Sequence, residues 1–159
     1  MADGADLATA RSAVLFSSLP APLADVILKQ SASRTYQRGE TIFIQGDVAQ
    51  NIYVVLDGWV KLFRITPTGA EAVVGVFTKG RSFGEAVAFE DVPLPVTAEA
   101  VTDSRLLLVR TTLLATMMRE RPEIAMAIMS STFRHLHALV AQVEQLKALN
   151  GVHADGANK

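Results

Sequence analysis

The segment Gly80-Arg81-Ser82-Phe83-Gly84-Glu85-Ala86-Val87, answered downstream by Pro95-Val96-Thr97-Ala98-Glu99-Ala100, decides how the rest of this chain is read. Two glycines flank an aromatic residue, and a carboxylate follows before a short apolar run. Glycine lets the backbone turn tightly and leaves amide groups open to an approaching ligand. A hydroxyl-bearing ligand could then meet Glu85 and free amides together. A strand-to-helix turn with a solvated Glu85 fits the same residues, so the flanking sequence has to arbitrate.

Working outward, residues 33–110 alternate short runs rich in Val, Ile, Phe and Tyr with turn signals at Arg38-Gly39, Gln45-Gly46-Asp47, Asp57-Gly58, Pro67-Thr68-Gly69 and Lys79-Gly80. Regular spacing of this kind predicts an antiparallel barrel or double sheet. Asp57-Gly58 reads as a two-residue hairpin turn, which needs positive φ. Trp59, Lys61, Phe63 and Ile65 share one face of the strand that follows. Trp59 and Phe63 are read as core, Lys61 and Arg64 as solvated charges.

Before the β region, residues 1–10 are small and polar and read as a frayed end. A short helix is expected over Leu7–Phe16, and a second one from Pro22 to about Gln30. After it, a strand over 105–109 leads into a helix capped by Thr111 or Thr112. A long helix then starts near Pro122. Its stripe of Met129, Thr132, Leu136, Leu139, Val143, Leu146 and Asn150 steps by three and four, which is a heptad seam. Ile124, Ile128 and Phe133 are assigned to packing on the barrel, and the later stripe to pairing with a second copy. Gly151 is read as the helix end. The expected division is 1–120 for the β region with its N-terminal helices, 121–150 for a dimerisation helix and 151–159 for a disordered tail.

The 159 residues suggest one domain; half are hydrophobic and the formal net charge is −1. That balance lacks the basic excess of a free-standing nucleic-acid binder. Cysteine is absent, which excludes disulfides, thiol catalysis and a cysteine-ligated iron–sulfur cluster. No membrane span or signal peptide is legible, so a cytoplasmic location is expected. His135, His137 and His153 all follow the β region, and the first two diverge on a helix, so no metal clamp is expected. No nucleophilic triad or carboxylate pair suggests an enzyme.

The ordered set Arg38-Gly39-Glu40-Thr41-Ile42-Phe43, Gln45-Gly46-Asp47, Tyr53-Val54-Val55, Asp57-Gly58, Val60-Lys61-Leu62 and Phe83-Gly84-Glu85 resembles the Crp/Fnr family of bacterial transcription regulators, from about Leu15 to Asn150. The resemblance implies a mainly β fold with flanking helices, a jelly-roll-like (double-stranded β-helix) β-roll that holds a small effector. It also implies a long helix pairing two protomers through Leu136, Leu139, Val143 and Leu146. By the same resemblance, the ligand site comprises Phe83, Gly84, Glu85 and Ala86 with Val96, Thr97 and Ala98. In the cyclic-nucleotide-binding members an Arg neutralises the phosphate, and Val96 stands at that position here. A valine cannot replace a bidentate guanidinium, so a cyclic nucleotide is a doubtful effector and the cofactor is left unknown. Haem remains a candidate, with His137 as its axial ligand in a gas (NO/O2) sensor. A ligand-free dimeric interaction module is the other alternative. Only nine residues follow Asn150, so contact with DNA is expected only through a helix-turn-helix domain missing from this chain.

Overall fold

β3 (Asn51–Asp57) is the central strand, and its run of Ile52, Tyr53, Val54, Val55 and Leu56 is buried without interruption. Such a run forms where both faces of a sheet are covered, because successive side chains point to opposite sides. Ile52, Val54 and Leu56 join a cluster with Phe16, Ile27, Leu114 and Ile124 from the helices. Tyr53 and Val55 join a second cluster with Phe43, Val60, Phe83, Val96 and Ala98. One strand thus belongs to two cores, and each fully buried aliphatic side chain contributes about 1.5–3 kcal/mol.

The computed structural model describes residues 4–157 other than Ser18, Phe89 and Asp91; the side chains of Ala86, Thr132, His135 and residues 150–157 lie outside that description. Three helices come first, α1 (Gly4–Ser12), α2 (Val14–Ser17) and α3 (Ala21–Lys29). Strands β1 (Ala32–Tyr36) and β2 (Thr41–Phe43) precede β3. Then come β4 (Trp59–Ile65), β5 (Glu71–Thr78), β6 (Ser82–Phe83), α4 (Glu85–Ala88), β7 (Thr97–Ala100), β8 (Ser104–Arg110), α5 (Thr111–Glu120) and α6 (Pro122–Ala157). The eight described strands form two antiparallel sheets, ordered β1-β8-β3-β6 and β2-β7-β4-β5. The second core lies between the sheets, and the first lies between one sheet and the helices. This is the double sheet expected from the turn spacing, in the form of the mainly β roll with flanking helices that the resemblance implies.

Several local expectations are corrected. β3 and β4 lie in different sheets, so Asp57-Gly58 is a corner between layers and not a hairpin. Gly58 does take positive φ, +95°, and a Cβ there would lie 2.3 Å from Ser104 Oγ and 2.7 Å from the Asp103 carbonyl oxygen. A close backbone approach demands glycine as firmly as a hairpin turn does. The true hairpin is β4–β5, closed around Gly69 by a hydrogen bond from Thr66 N to Ala70 O at 2.8 Å. Of the two aromatics assigned to the core, Phe63 is buried while Trp59 is 47% exposed. Both point outward from the second sheet, but Lys61 lies over the Phe63 ring at 5.0 Å. Lys61 is no free charge either: it bridges Glu71 at 2.9 Å and Glu99 at 3.0 Å.

The N-terminal segment is not frayed from residue 4 onward. Asp6 is buried and paired with Arg105 of β8, which anchors α1. On α6, Ile124 is fully buried and Ile128 packs against the first core. Phe133, assigned to the same packing, is instead 58% exposed. Gly151 does not end α6, which continues to Ala157 in place of the expected disordered tail. An interior glycine costs roughly 1 kcal/mol relative to alanine and stops a helix only where the backbone turns left-handed.

Candidate functional site

The turn between β5 and β6 is fixed to β3 by two backbone hydrogen bonds, Gly80 N to Val55 O at 2.8 Å and Val55 N to Arg81 O at 2.9 Å. Held there, Phe83 points inward. Its ring stacks on Tyr53 with centroids 5.1 Å apart and an interplanar angle of 10°. Phe77 packs on its other flank at 5.5 Å. The chain then reverses at Gly84, whose φ of +95° favours glycine, with Asn51 O in ordinary contact range at 3.4 Å from a would-be Cβ. α4 starts immediately and delivers a half-buried Glu85 to a groove outside the core. Ala86 lies within α4, its side chain outside the described atoms.

The answering segment points its alternate residues inward. Leu94, Val96, Ala98 and Ala100 are all buried in the core between the sheets. Thr97 and Glu99 face the other way. Thr97 Oγ1 accepts a hydrogen bond from Gln45 N at 3.0 Å, and Glu99 holds Lys61. The structure therefore brings Phe83, Val96 and Ala98 together, but fills the space between them with the rings of Phe43, Tyr53 and Phe83. Burial raises the phenol pKa of Tyr53, consistent with an apolar interior. The residues do not fit a cyclic-nucleotide phosphate inside the roll. An anion there would be desolvated without a partner, since this strand offers the interior only aliphatic side chains.

Open space lies instead between the roll and the helices, in a groove of about 770 Å³. Phe77, Arg81, Ser82 and Glu85 form one wall, Ser12, Val14 and Leu15 a second, and Ile128, Met129, Phe133, Leu139 and Gln142 of α6 the third. A groove of this size falls in the range that takes small ligands. It is invisible in the sequence, because its walls come from three distant segments. One local signal existed: Gly75 precedes Phe77 by two residues on the same face, and a Cβ at Gly75 would lie 2.9 Å from the Phe77 ring. That glycine lets the ring fold back as the partition between groove and core.

His137 is exposed and lines neither this groove nor a smaller cavity of about 400 Å³ under Val48 and Leu94. Among the described residues no histidine side chain lines the groove. Among the described residues no cluster of His, Cys, Asp and Glu could hold a metal ion, and no helix is long and apolar enough to cross a membrane. Leu136, Leu139, Val143 and Leu146 are 45–61% exposed along α6. Thr132 and Asn150, which extend that stripe, have side chains outside the described atoms.

Two antiparallel sheets rolled around an aromatic core, with a long helix leading away over a groove, define the class: a β-roll domain with a C-terminal helix. The family model for the cyclic nucleotide-binding domain matches residues 33–121, and the chain belongs to that family. Its relatives include regulators of the Crp/Fnr type. It is 36% identical over 93 residues to the Cyclic AMP receptor protein of Thermus thermophilus, covering 58% of this chain and 43% of that protein. Its fold is similar to that of a Ruegeria pomeroyi protein provisionally described as cyclic nucleotide binding, with 54% identity and TM-score 0.84, over 91% of this chain and 64% of that one. DNR from Pseudomonas aeruginosa follows at 26% identity and TM-score 0.79, over 92% and 65%. The chain spans about half the length of the curated relatives it matches.

Proposed function

We propose that this chain is the effector-sensing and dimerisation part of a Crp/Fnr-type transcription regulator, with the effector held in the groove between β-roll and α6. One observation carries the reading. Arg81 and Glu85 of the roll and Leu139 of the long helix line a single groove, and Leu139 also belongs to the exposed apolar stripe. An occupant would touch the roll and the pairing helix at once. Ser131 adds a tie, its buried hydroxyl donating to the Val14 carbonyl at 3.1 Å, so that α6 and the N-terminal wall move together. An effector that binds two arrangements of the paired helices unequally shifts their populations. In the intact regulator, that shift would re-aim a DNA-binding domain.

Hydrogen exchange with and without the apolar dye 1-anilinonaphthalene-8-sulfonate tests this. Protection should rise together at residues 77–85 and 128–142. Dye binding that leaves α6 exchange unchanged would separate groove from helix and defeat the proposal. A second reading, a ligand-free dimeriser, is favoured by the ring-filled interior, and predicts no saturable dye site at all.

A further inference from the structure

The roll has a second opening, beside the loop that joins β2 to β3 and the segment that leads into β7. The cavity of about 400 Å³ lies there, and no residue that lines it also lines the groove beside α6. Its floor is Phe43, Tyr53 and Leu94, all buried, and Asp47, Gln50 and Asn51 stand on its walls. The frame is fixed through the backbone. Gly46 N donates to Leu94 O and Leu94 N to Asp47 O, both at 2.8 Å, and Val48 pairs with Pro93. A cavity held open in this way costs an occupant little in ordering the chain, and its size falls in the range that takes small ligands.

The chemistry of the walls selects the occupant. Among the described residues, Asp47 is the one charged side chain that lines the cavity, and no Lys, Arg or His joins it. Arg34, the cation whose charge acts on Tyr53, lies over the Tyr36 ring at 4.8 Å instead. Burial, opposed by the Asn51 side chain, raises the Tyr53 phenol pKa, so that hydroxyl stays neutral and adds no charge of its own. A carboxylate with no lining cation repels anions and attracts an ammonium group. The Phe43 and Tyr53 rings, 5.5 Å apart and tilted by 40°, give an apolar body aromatic surface to pack on.

We infer that this cavity is a second small-molecule site on the roll, built for a small amine with an aromatic or short aliphatic body. The ammonium group meets Asp47 at the mouth, and the apolar body lies on Phe43 and Leu94. The inference stands apart from the groove and does not require the groove to hold the effector.

The test is a titration of the full chain with phenethylamine at neutral pH, where it is a cation, followed by amide chemical shifts. 3-Phenylpropionate and 2-phenylethanol serve as the anionic and neutral counterparts. Phenethylamine should shift residues 42–53 and Leu94 saturably and leave residues 128–142 unmoved. 3-Phenylpropionate should not shift them, and 2-phenylethanol should bind roughly tenfold or more weakly, the worth of a charge-assisted hydrogen bond. Asp47→Asn should cost the amine the same factor and leave 2-phenylethanol unaffected. Asp47 is exposed and its loop is held through the backbone, so this variant should fold, which circular dichroism verifies. Equal binding of amine and carboxylate, an Asp47→Asn variant with full affinity, or shifts confined to residues 77–85 and 128–142 would overturn the inference. So would the lack of any saturable shift at residues 42–53. None of these results decides the groove, which the dye reads at other residues.

Discussion

Val96 and Val143 are the same residue in opposite circumstances. Val96 is 8% exposed between two sheets, surrounded by Phe43, Tyr53 and Phe83, while Val143 is 51% exposed on α6. The contrast extends to their neighbourhoods. Within the roll, Val54, Val55, Val60 and Leu106 are fully buried. Along α6, Leu136, Leu139, Val143 and Leu146 stay about half exposed, Leu139 at the edge of the groove. An isolated exposed leucine is ordinary, but a contiguous apolar stripe at heptad spacing marks an association surface. The roll is folded for its own sake; the proposal is that the helix stripe serves a partner.

The sharpest way to break that comparison is to place one substitution in both regions. Val96→Arg should destabilise the fold by about 3–5 kcal/mol, the penalty of a buried charge without a partner. Val143→Arg should leave the stability of the monomer within about 0.5 kcal/mol. Urea unfolding of both variants checks this, and similar midpoints would mean the roll interior is not the closed core described. The same result bears on cyclic nucleotides, since an arginine at 96 would disrupt the core before it could grip a phosphate.

Next in size is Gly58→Ala at the corner between the sheets. The left-handed backbone alone should cost about 1–3 kcal/mol, and the collision with Ser104 and Asp103 adds to it. Gly69→Ala, in the β4–β5 hairpin with nothing near its would-be Cβ, should show only the backbone part. Equal thermal shifts for the two would contradict the close approach at Gly58. Smaller again, Ser131→Ala should cost about 1 kcal/mol, because the Val14 carbonyl loses the shorter of its two hydroxyl donors, Ser17 Oγ remaining at 3.3 Å. Its more telling readout is faster hydrogen exchange in α2.

The smallest effect is on the outer face of the second sheet. The hydrogen bond to Glu71, then that to Glu99, raises the Lys61 pKa above its ordinary 10.5. The charge therefore stabilises the fold fully below pH 10.5, and that contribution fades as pH rises through the raised folded value. Lys61→Met should change stability at neutral pH by less than about 1 kcal/mol and flatten the decline above pH 10.5. A decline of unchanged steepness in the variant would assign it to other groups.

The fold was legible in the sequence wherever a local rule had one structural meaning. Turn residues at short spacing could build little else than paired antiparallel sheets, and Pro122 opened the long helix where expected. Legibility failed where one signal serves two geometries. Positive φ at Gly58 suits both a hairpin and a corner, and only the position of β8 decides between them. The alternation of β4 assigned Trp59 and Phe63 to one face correctly, but could not reveal that Lys61 lies over only the second ring. Of the candidate site, Glu85 could be singled out from its glycine, whereas the groove it lines needed α2 and α6 brought alongside.

The central claim is that the α6 stripe belongs to a second copy while the roll needs none. Sedimentation equilibrium of wild type and of the Leu139→Glu, Val143→Glu double variant tests it most directly. The account predicts a dimer for wild type and a monomer for the double variant, with the β-sheet circular dichroism of the two superimposable. A wild-type monomer, or a double variant that remains a dimer, would contradict it.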